Sequence, residues 1–334
     1  MSNERENRIT ALVTGANGFI GSHLSDLLLR RGYRVRALVR KTSNLRFLKD
    51  ENIELAYGSL AASDSLLNAL KDVDIVFHPA GKVKAKNRRQ YFKVNQLGTR
   101  NLLHAVRKAC PNLKRFVHIS SQAVAGPSLN GRPLNENDPP VPVSAYGESK
   151  LAAEEELLQF KSDFPITVIR PPAVYGPRDV DIYKFFQMIK LGINPRLGFE
   201  KRYLSLVHVE DLVECIALVV ETEQATNETF YAANPGIYLM DDILAEMGRA
   251  MNREFIDIMV PLPVARMVAA VVETTFGLLN TTPPFNRDKI KELSQTAWTV
   301  DSSKAERLLK WRAKIDIHDG FRQTYQWYLQ EGWL

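Results

Sequence analysis

The segment Thr14-Gly-Ala-Asn-Gly-Phe-Ile-Gly21 decides the fold, because it carries three glycines between a predicted strand at residues 9–13 and a predicted helix at residues 20–31. Gly15 permits a tight turn, Gly18 lets the backbone approach a phosphate, and Gly21 lets helix and sheet pack closely. The first turn of a helix also offers unpaired N–H groups and a positive dipole end. The segment therefore predicts a loop that binds the pyrophosphate of a dinucleotide.

Short β-branched runs alternate with amphipathic helical patterns through the first half of the chain. Such alternation predicts a parallel sheet with helices on both faces, and right-handed crossovers make that sheet doubly wound. After residue 170 the regularity fades into loop-rich segments. The predicted fold is α/β, a doubly wound parallel sheet (Rossmann fold) with a smaller C-terminal substrate domain. Strands are predicted at residues 9–13, 34–39, 53–57, 75–78, 115–120 and 167–170, and helices at residues 20–31, 63–70, 91–109 and 146–160.

The end of the second predicted strand bears on the choice of cofactor. An acidic residue at this place accepts hydrogen bonds from the adenosine ribose and repels an added phosphate. This chain has Arg40 followed by Lys41, and the arginine fork suits a 2′-phosphate. The prediction is NADP(H), and NAD(H) is the alternative if Arg40 stacks on adenine instead.

Tyr146-Gly-Glu-Ser-Lys150 places a phenol and an ammonium on one face of a predicted helix. The ammonium favours the phenolate, so Tyr146 can take or return a proton while hydride moves to or from the cofactor. Ser121 follows the fifth predicted strand, at the edge of the sheet where ligands bind, and its hydroxyl can polarise a carbonyl. Ser121, Tyr146 and Lys150 are the predicted catalytic residues, and Lys150 should also hold the nicotinamide ribose.

These segments, with others in the same order along nearly the whole chain, resemble the extended short-chain dehydrogenases/reductases of the NAD-dependent epimerase/dehydratase superfamily. The resemblance implies that Asn95 helps to orient the site, and the family usually has Asp where Ser59 stands. The motifs are the glycine loop, Phe77-His-Pro-Ala-Gly81, Val94-Asn-Gln-Leu-Gly-Thr99, Ser120-Ser121, Tyr146 to Lys150, Arg170-Pro-Pro-Ala-Val-Tyr-Gly-Pro177 and Val207-His-Val-Glu-Asp-Leu212. The implied cofactor contacts are Gly15, Asn17, Gly18, Phe19, Ile20, Gly21, Arg40, Ser59, Leu60, Ala80, Gly81, Tyr146, Lys150 and Pro171.

Departures from the family patterns narrow the set of reactions expected of this chain. Family dehydratases carry Asp and Glu after the catalytic hydroxyl residue, whereas this chain has Gln122-Ala123, which argues against dehydration. Sugar-nucleotide epimerases commonly grip a nucleotide diphosphate with Asn and Arg at the positions of Ala173 and Leu204, although Arg178 and Arg202 could compensate here. The chain resembles most closely the dihydroflavonol-reductase/3β-hydroxysteroid-dehydrogenase-like branch, whose members act on ketones and secondary alcohols of largely apolar molecules.

A strongly apolar segment at residues 260–279 is interrupted only by Arg266 and Glu273. Three interpretations stay open: a cap on an apolar substrate pocket, an interfacial helix with peripheral membrane contact, or a packed helix of the substrate domain. No run reaches the roughly 18 apolar residues of a membrane span. We therefore expect no membrane span.

The composition bounds the partners and the compartment. Lys and Arg number 44 against 38 for Asp and Glu, which favours anionic ligands, but no nucleic-acid module accompanies this bias, so no nucleic-acid partner is expected. Cys110 and Cys215 lack metal-ligand spacing, so no metal site is predicted. The charged N-terminus is unlike a secretory signal, and we expect a cytoplasmic protein. The family resemblance implies a homodimer through the helices predicted at residues 91–109 and 146–160.

The domain prediction is an NADP-binding Rossmann domain at residues 1–175, rejoined by about 204–233, and a substrate-binding domain at residues 176–203 and 234–334. The predicted reaction transfers a hydride between NADP(H) and a carbonyl or secondary alcohol of a small-molecule substrate, an apolar (sterol-, flavonoid- or lipid-like) metabolite. One alternative is a nucleotide-sugar epimerase, which would return the hydride to the opposite face. The other is a non-catalytic NADP-sensing binding protein, against which the presence of Tyr146 and Lys150 argues.

Overall fold

The computed structural model describes residues 8–129, 131–279, 281, 283 and 287–334. Residues 1–7 and 130 of the predicted cofactor domain lie outside the described residues. So do residues 280, 282 and 284–286 of the predicted substrate domain.

Strands and helices largely alternate through the first half of the chain, as the hydrophobic patterns predict. The strands are β1 (Thr10–Thr14), β2 (Arg34–Val39), β3 (Glu54–Tyr57), β4 (Ile75–His78), β5 (Arg115–Ile119), β6 (Ile166–Arg170), β7 (Ala173–Tyr175), β8 (Ile193–Leu197), β9 (Tyr203–His208), β10 (Thr229–Tyr231), β11 (Ile237–Leu239), β12 (Ile256–Val260) and β13 (Ala297–Trp298). The helices are α1 (Phe19–Arg30), α2 (Ser63–Ala69), α3 (Arg88–Ala109), α4 (Ala145–Leu158), α5 (Ile182–Lys190), α6 (Val209–Glu221), α7 (Met240–Met251), α8 (Leu262–Leu278), α9 (Arg287–Leu293), α10 (Ser303–Leu309) and α11 (Ile317–Gln330).

The main sheet runs in the order β10-β6-β5-β4-β1-β2-β3, and all its neighbouring strands are parallel. The order reverses between β4 and β1, and ligands of such sheets bind at the carboxyl edge beside this reversal. The six predicted strands all lie in this sheet with bounds within one residue of those predicted. The seventh strand, β10, was not predicted, because three residues are too few to show an alternating pattern.

Helices cover both faces of the main sheet, which confirms the predicted fold class. Val13 packs on one face with Leu28 of α1 and Ile216 of α6. Leu12, the preceding residue on the same strand, packs on the other face with Leu102 of α3. Successive side chains of a strand point to opposite faces, so a strand buried on both sides reads as a continuous apolar run.

The remaining elements build a smaller part beside the carboxyl edge of the main sheet. β9 pairs with β7, β11 and β13, while β8 pairs with β12. Aromatic side chains such as Tyr175, Phe186 and Phe321 form a core between the small sheet, α5, α7 and α11. The chain returns to the main sheet through α6 and β10, whereas β9 stays in the small sheet. The domain limits given above stay a prediction.

No helix among the described residues combines the length and the apolar character needed to cross a bilayer. The apolar segment predicted at residues 260–279 forms α8 together with the end of β12.

The carboxylate of Asp179 gives the fold a pH-dependent stability. It accepts N–H bonds from Asp181 (2.8 Å) and Ile182 (3.4 Å), yet burial raises its pKa to about 7. The pKa of Asp179 is higher in the folded protein than in the unfolded chain, so the protonated side chain favours folding. This stabilisation is complete at low pH and is lost as the pH rises through about 7. Asp179→Asn should therefore gain stability over the parent between pH 5 and 7, by up to about 1.4 kcal/mol per pH unit. Urea unfolding at several pH values in this range measures the difference in the free energy of unfolding between the variant and the parent. A difference that does not change with pH would contradict the prediction.

Candidate active site

The glycine loop is held directly beneath the segment that follows β4. Gly15 has a φ of +63°, and a Cβ there would lie 2.8 Å from the Cα of Ala80. A Cβ at Gly21 would lie 2.2 Å from the Gly15 carbonyl oxygen. Neither position can carry a side chain without moving the backbone. Gly18 begins α1 with no side-chain cap and no acidic residue in the first turn, so the helix N–H groups fit an incoming phosphate.

The predicted adenosine contacts lie at the ends of β2 and β3. Arg40 is exposed, and its backbone N–H donates to the Ser43 hydroxyl at 3.1 Å. Asn17 reaches this segment by donating to the carbonyl of Asn44 at 3.3 Å. Arg40 has no ion-pair partner among the residues that the structure describes, so its guanidinium is available to an anion.

Other predicted cofactor contacts surround the same edge of the sheet. The Ser59 hydroxyl accepts the N–H of Ala61 at 3.2 Å, and Leu60 packs close to Gly98 of α3. Pro171 follows β6 and accepts the N–H of Gln122 at 2.9 Å. Phe19 and Ile20 form the first turn of α1 and pack partly against the core.

Tyr146 stands in the first turn of α4, where Ser121 reaches its phenol. Ser121 begins the 3₁₀ turn Gln122–Val124, and its hydroxyl accepts the N–H of Ala123 at 3.1 Å. Burial raises the pKa of Tyr146 to about 12, against a hydrogen bond with Ser121 that lowers it. The phenol is therefore protonated at neutral pH and ready to give a proton.

Lys150 lies one helical turn beyond Tyr146 and is buried. Its Nζ donates to the carbonyl of Ile119 at 2.7 Å and lies 3.4 Å from Nε2 of His118. Burial lowers the pKa of Lys150 to about 8, although the Glu154 carboxylate raises it. A Cβ built on Gly81 would come within 3.9 Å of this Nζ, so the missing side chain keeps space open beside the ammonium.

Asn95 holds the loop before α3 against α4. Its Oδ1 accepts the N–H of Lys82 at 2.7 Å, and its Nδ2 donates to the Lys82 carbonyl at 3.1 Å and to the Ser149 hydroxyl at 2.8 Å. Ser149 in turn donates to the carbonyl of Tyr146 at 2.7 Å. Asn95 thereby links this loop to the turn of α4 that carries the phenol.

A buried histidine network beneath the site was missing from the sequence prediction. Thr99 donates to the Asn95 carbonyl at 2.6 Å, so it accepts from Nε2 of His78 at 2.9 Å. Nδ1 of His78 is then the acceptor for the Thr14 hydroxyl at 2.7 Å. Burial lowers the pKa of His78 to about 3 and that of His118 well below its usual value. Polar residues inside apolar strands were the available signal.

Two carboxylates of α9 close over the start of α4, and the sequence prediction missed both. Asp288 accepts the N–H of Ala145 at 3.0 Å, and Glu292 accepts a hydrogen bond from the Ser144 hydroxyl. Such pairing satisfies groups at a helix N-terminus that would otherwise lack partners. It holds α9 against the helix that carries Tyr146.

A narrow cavity lies beside Tyr146. It encloses about 20 Å³, which is no more than one water molecule needs. A metabolite next to the phenol therefore needs more room than this cavity provides. The apolar lining comes from Val83, Ala85, Tyr91, Tyr146 and Pro283, and the polar lining from Lys84, Ser144, Asp288, Lys289 and Glu292.

The two arginines considered for gripping a nucleotide diphosphate lie outside this cavity lining. Arg178 pairs with Asp26 at 2.8 Å and lies over the ring of Phe47. Arg202 donates from Nε to the carbonyl of Leu293 at 2.8 Å, at the end of α9. Arg178 is thus engaged with α1, while Arg202 stays near the rim of the site.

Comparisons with known proteins bear on the family of the chain. The model of the NAD dependent epimerase/dehydratase family matches residues 11–233. The chain is 30% identical to a ceramide reductase of Caulobacter vibrioides over 323 residues, which cover 96% of this chain and 95% of that one. It is 28% identical to a UDP-glucose 4-epimerase of Vibrio cholerae, with the same coverage of the two chains. The crystal structure of gox2253 superimposes with a TM-score of 0.81 at 28% identity and covers 98% of this chain and 99% of that one. The family predicted from the motifs is thereby confirmed: the chain belongs to the NAD dependent epimerase/dehydratase family.

Proposed function

We propose that this protein is an NADP(H)-dependent reductase of a carbonyl group on an apolar, lipid-like metabolite. The observation that carries the proposal is the partly buried phenol of Tyr146, whose pKa desolvation raises to about 12 and a hydrogen bond with Ser121 lowers, beside a cavity with an apolar wall. When bound, the cofactor supplies the hydride or accepts it in the reverse direction. A phenol whose pKa lies near 12 favours proton donation, which is the step that reduction requires.

In the proposed reduction each polar group of the site has a distinct role. The Ser121 hydroxyl holds the carbonyl oxygen and polarises the carbon that receives the hydride. Tyr146 gives its proton to that oxygen as the alcohol forms. The ammonium of Lys150 stabilises the phenolate that is left, because an opposite charge nearby favours the ionised form. Asn95 and Ser149 keep the turn of α4 in place.

The substrate class rests on three observations. Val83, Ala85 and Pro283 give the cavity an apolar wall. Ala173 and Leu204 offer no polar group where sugar-nucleotide epimerases grip a diphosphate. The relative named ceramide reductase adds support for a lipid-like substrate.

A nucleotide-sugar epimerase is the second candidate, favoured by the similarity to the UDP-glucose 4-epimerase along nearly the whole chain. Calorimetric titration with UDP-glucose, in the presence of NADPH, separates the two. We expect no binding of UDP-glucose and consumption of NADPH with steroid or long-chain ketones. Firm binding of UDP-glucose would instead favour the epimerase.

Arg40 sets the expected preference for NADPH over NADH. Arg40→Gln should weaken NADPH binding by about 10- to 100-fold, because it removes a charged hydrogen-bonding partner of the 2′-phosphate, and should leave NADH binding nearly unchanged. Calorimetry with both cofactors measures this. Lys49→Gln, which removes an exposed cation beyond the same segment, is the matched control. Tighter binding of NADH by the parent, or equal losses for both cofactors, would contradict the role of Arg40.

The homodimer implied by the family resemblance belongs to the same proposal. Leu97 of α3 and Leu158 of α4 are exposed apolar residues on the two helices concerned. Sedimentation velocity of the parent and of Leu158→Asp measures whether this surface joins two copies.

A further inference from the structure

Helix α8 buries two alanines and exposes a row of larger apolar residues. Ala265 and Ala269 face the interior, where they pack with Ile290 of α9. Met267 and Val271 are 63% and 62% exposed, and Val264 and Val268 are exposed as well. The four exposed residues recur at the spacing of one helical face. An amphipathic helix ordinarily turns its larger apolar side chains inward. Because these four side chains are exposed, this face has no partner within the described chain.

The strand before α8 continues the apolar exposure. Ile256 and Ile258 of β12 are both exposed, and α8 begins soon after this strand ends. β12 pairs with β8, whose flanks carry the exposed Leu191 and Phe199. The α8 surface is defined here as Ile256, Ile258, Val264, Met267, Val268 and Val271.

Cations outnumber anions around the α8 surface. The following exposed residues have no ion-pair partner in the part of the chain that the structure describes: the cations Lys190, Lys201, Arg253 and Arg266, and the anions Glu200 and Glu254. Lys190 and Arg253 stand at the end of the β8–β12 ribbon where Ile256 donates to the carbonyl of Gly192, and Lys201 follows its other end. The charge balance at this surface therefore favours an anionic partner.

We propose that the α8 surface binds the interfacial region of an anionic lipid bilayer. An apolar helical face flanked by Lys and Arg is the combination that lies in the plane of such an interface. The helix also leads toward Pro283 and α9, which line the cavity at Tyr146. The proposed function explains why lipid contact would be useful, since an apolar substrate could pass from the bilayer to the cavity. The lipid contact itself does not depend on that function.

A second copy of the chain would be a poorer occupant of the same surface. A two-fold contact pairs a patch with itself, so it would bring the excess cations of both copies together. Like charges facing each other across an interface oppose association. A bilayer that contains anionic lipid turns the same cations into an attraction.

Flotation of the full chain with vesicles tests the proposal. The protein should float with phosphatidylcholine vesicles that contain phosphatidylglycerol, float poorly with phosphatidylcholine alone, and be released in part by salt, because screening weakens the attraction of exposed charges. Met267→Asp/Val271→Asp should reduce the floating fraction at least about tenfold, because it removes two apolar contacts and adds two like charges. Gln326→Asp/Leu329→Asp places the same two charges on the exposed face of α11 and should float like the parent.

The outcomes separate the explanations. Absence of flotation by the parent, or equal flotation by both double variants, would overturn the lipid contact. Sedimentation equilibrium would favour a second copy if the parent self-associates without binding vesicles and only Met267→Asp/Val271→Asp disrupts that association. Circular dichroism and NADPH titration check that each variant folds. Flotation needs neither cofactor nor substrate. A protein that floats but reduces no ketone would therefore contradict the proposed function and support the lipid contact.

Discussion

Tyr146→Phe should lower kcat/KM for ketone reduction by about 10²- to 10⁴-fold, the range expected for loss of a general acid, while NADPH binds almost as before. The substitution removes only the phenolic oxygen. That oxygen belongs to a phenol whose pKa burial raises to about 12, so it carries its proton at neutral pH. NADPH consumption measures the rate, and calorimetry measures cofactor affinity.

Tyr91→Phe is the matched control for this experiment. Tyr91 lines the same cavity, and its ring centroid lies 6.1 Å from that of Tyr146. Its hydroxyl is directed to the carbonyl of Val83 at 3.4 Å. Its loss should change the rate far less than the loss of the Tyr146 hydroxyl. Equal effects of the two substitutions would show that removing a phenol disturbs the cavity as a whole, and the assignment of Tyr146 as proton donor would fail.

The candidate catalytic residues could be placed together from the sequence because parallel strands have their carboxyl ends along one edge. Ser121 follows β5, Tyr146 begins the next helix, and the glycine loop follows β1. Each position is defined by local sequence, and the fold brings them together. β-branched runs likewise located six strands of the main sheet, whereas β10 is too short to show the pattern.

The surroundings of the site depend on pairings between distant parts of the chain. The bond from Ser144 to Glu292 spans 148 residues, and that from Ala145 to Asp288 spans 143. No local pattern marks α9 as the element that lies over α4. The contact of His118 with Lys150 was hidden for a different reason, since a histidine in an apolar strand has many interpretations until its neighbours are known. The exposed face of α8 was similarly ambiguous, because its apolar sequence fits a packed helix equally well.

Glu154→Gln should destabilise the protein by about 3–5 kcal/mol, the usual cost of removing one partner of a buried ion pair. Glu154 accepts two bonds from Arg170, from Nε at 3.0 Å and from Nη2 at 2.6 Å. The two side chains are only 11% and 9% exposed. Although burial alone would lower it, the Glu154 carboxylate raises the pKa of Arg170. The variant leaves this guanidinium charged and without its counterion.

The double variant Glu154→Leu/Arg170→Met decides whether the loss comes from an uncompensated charge. If it does, removing both charges should recover much of the stability lost in Glu154→Gln, since apolar pairs often replace buried ion pairs without loss. Urea unfolding of the parent, the single variant and the double variant measures the recovery. A double variant no more stable than the single one would mean that packing, including the contact of Arg170 with Tyr231, matters more than charge. Arg170 precedes Pro171, and Glu154 lies one turn beyond Lys150. A stable double variant with reduced activity would therefore show that the ion pair also keeps both sides of the proposed cofactor site in place.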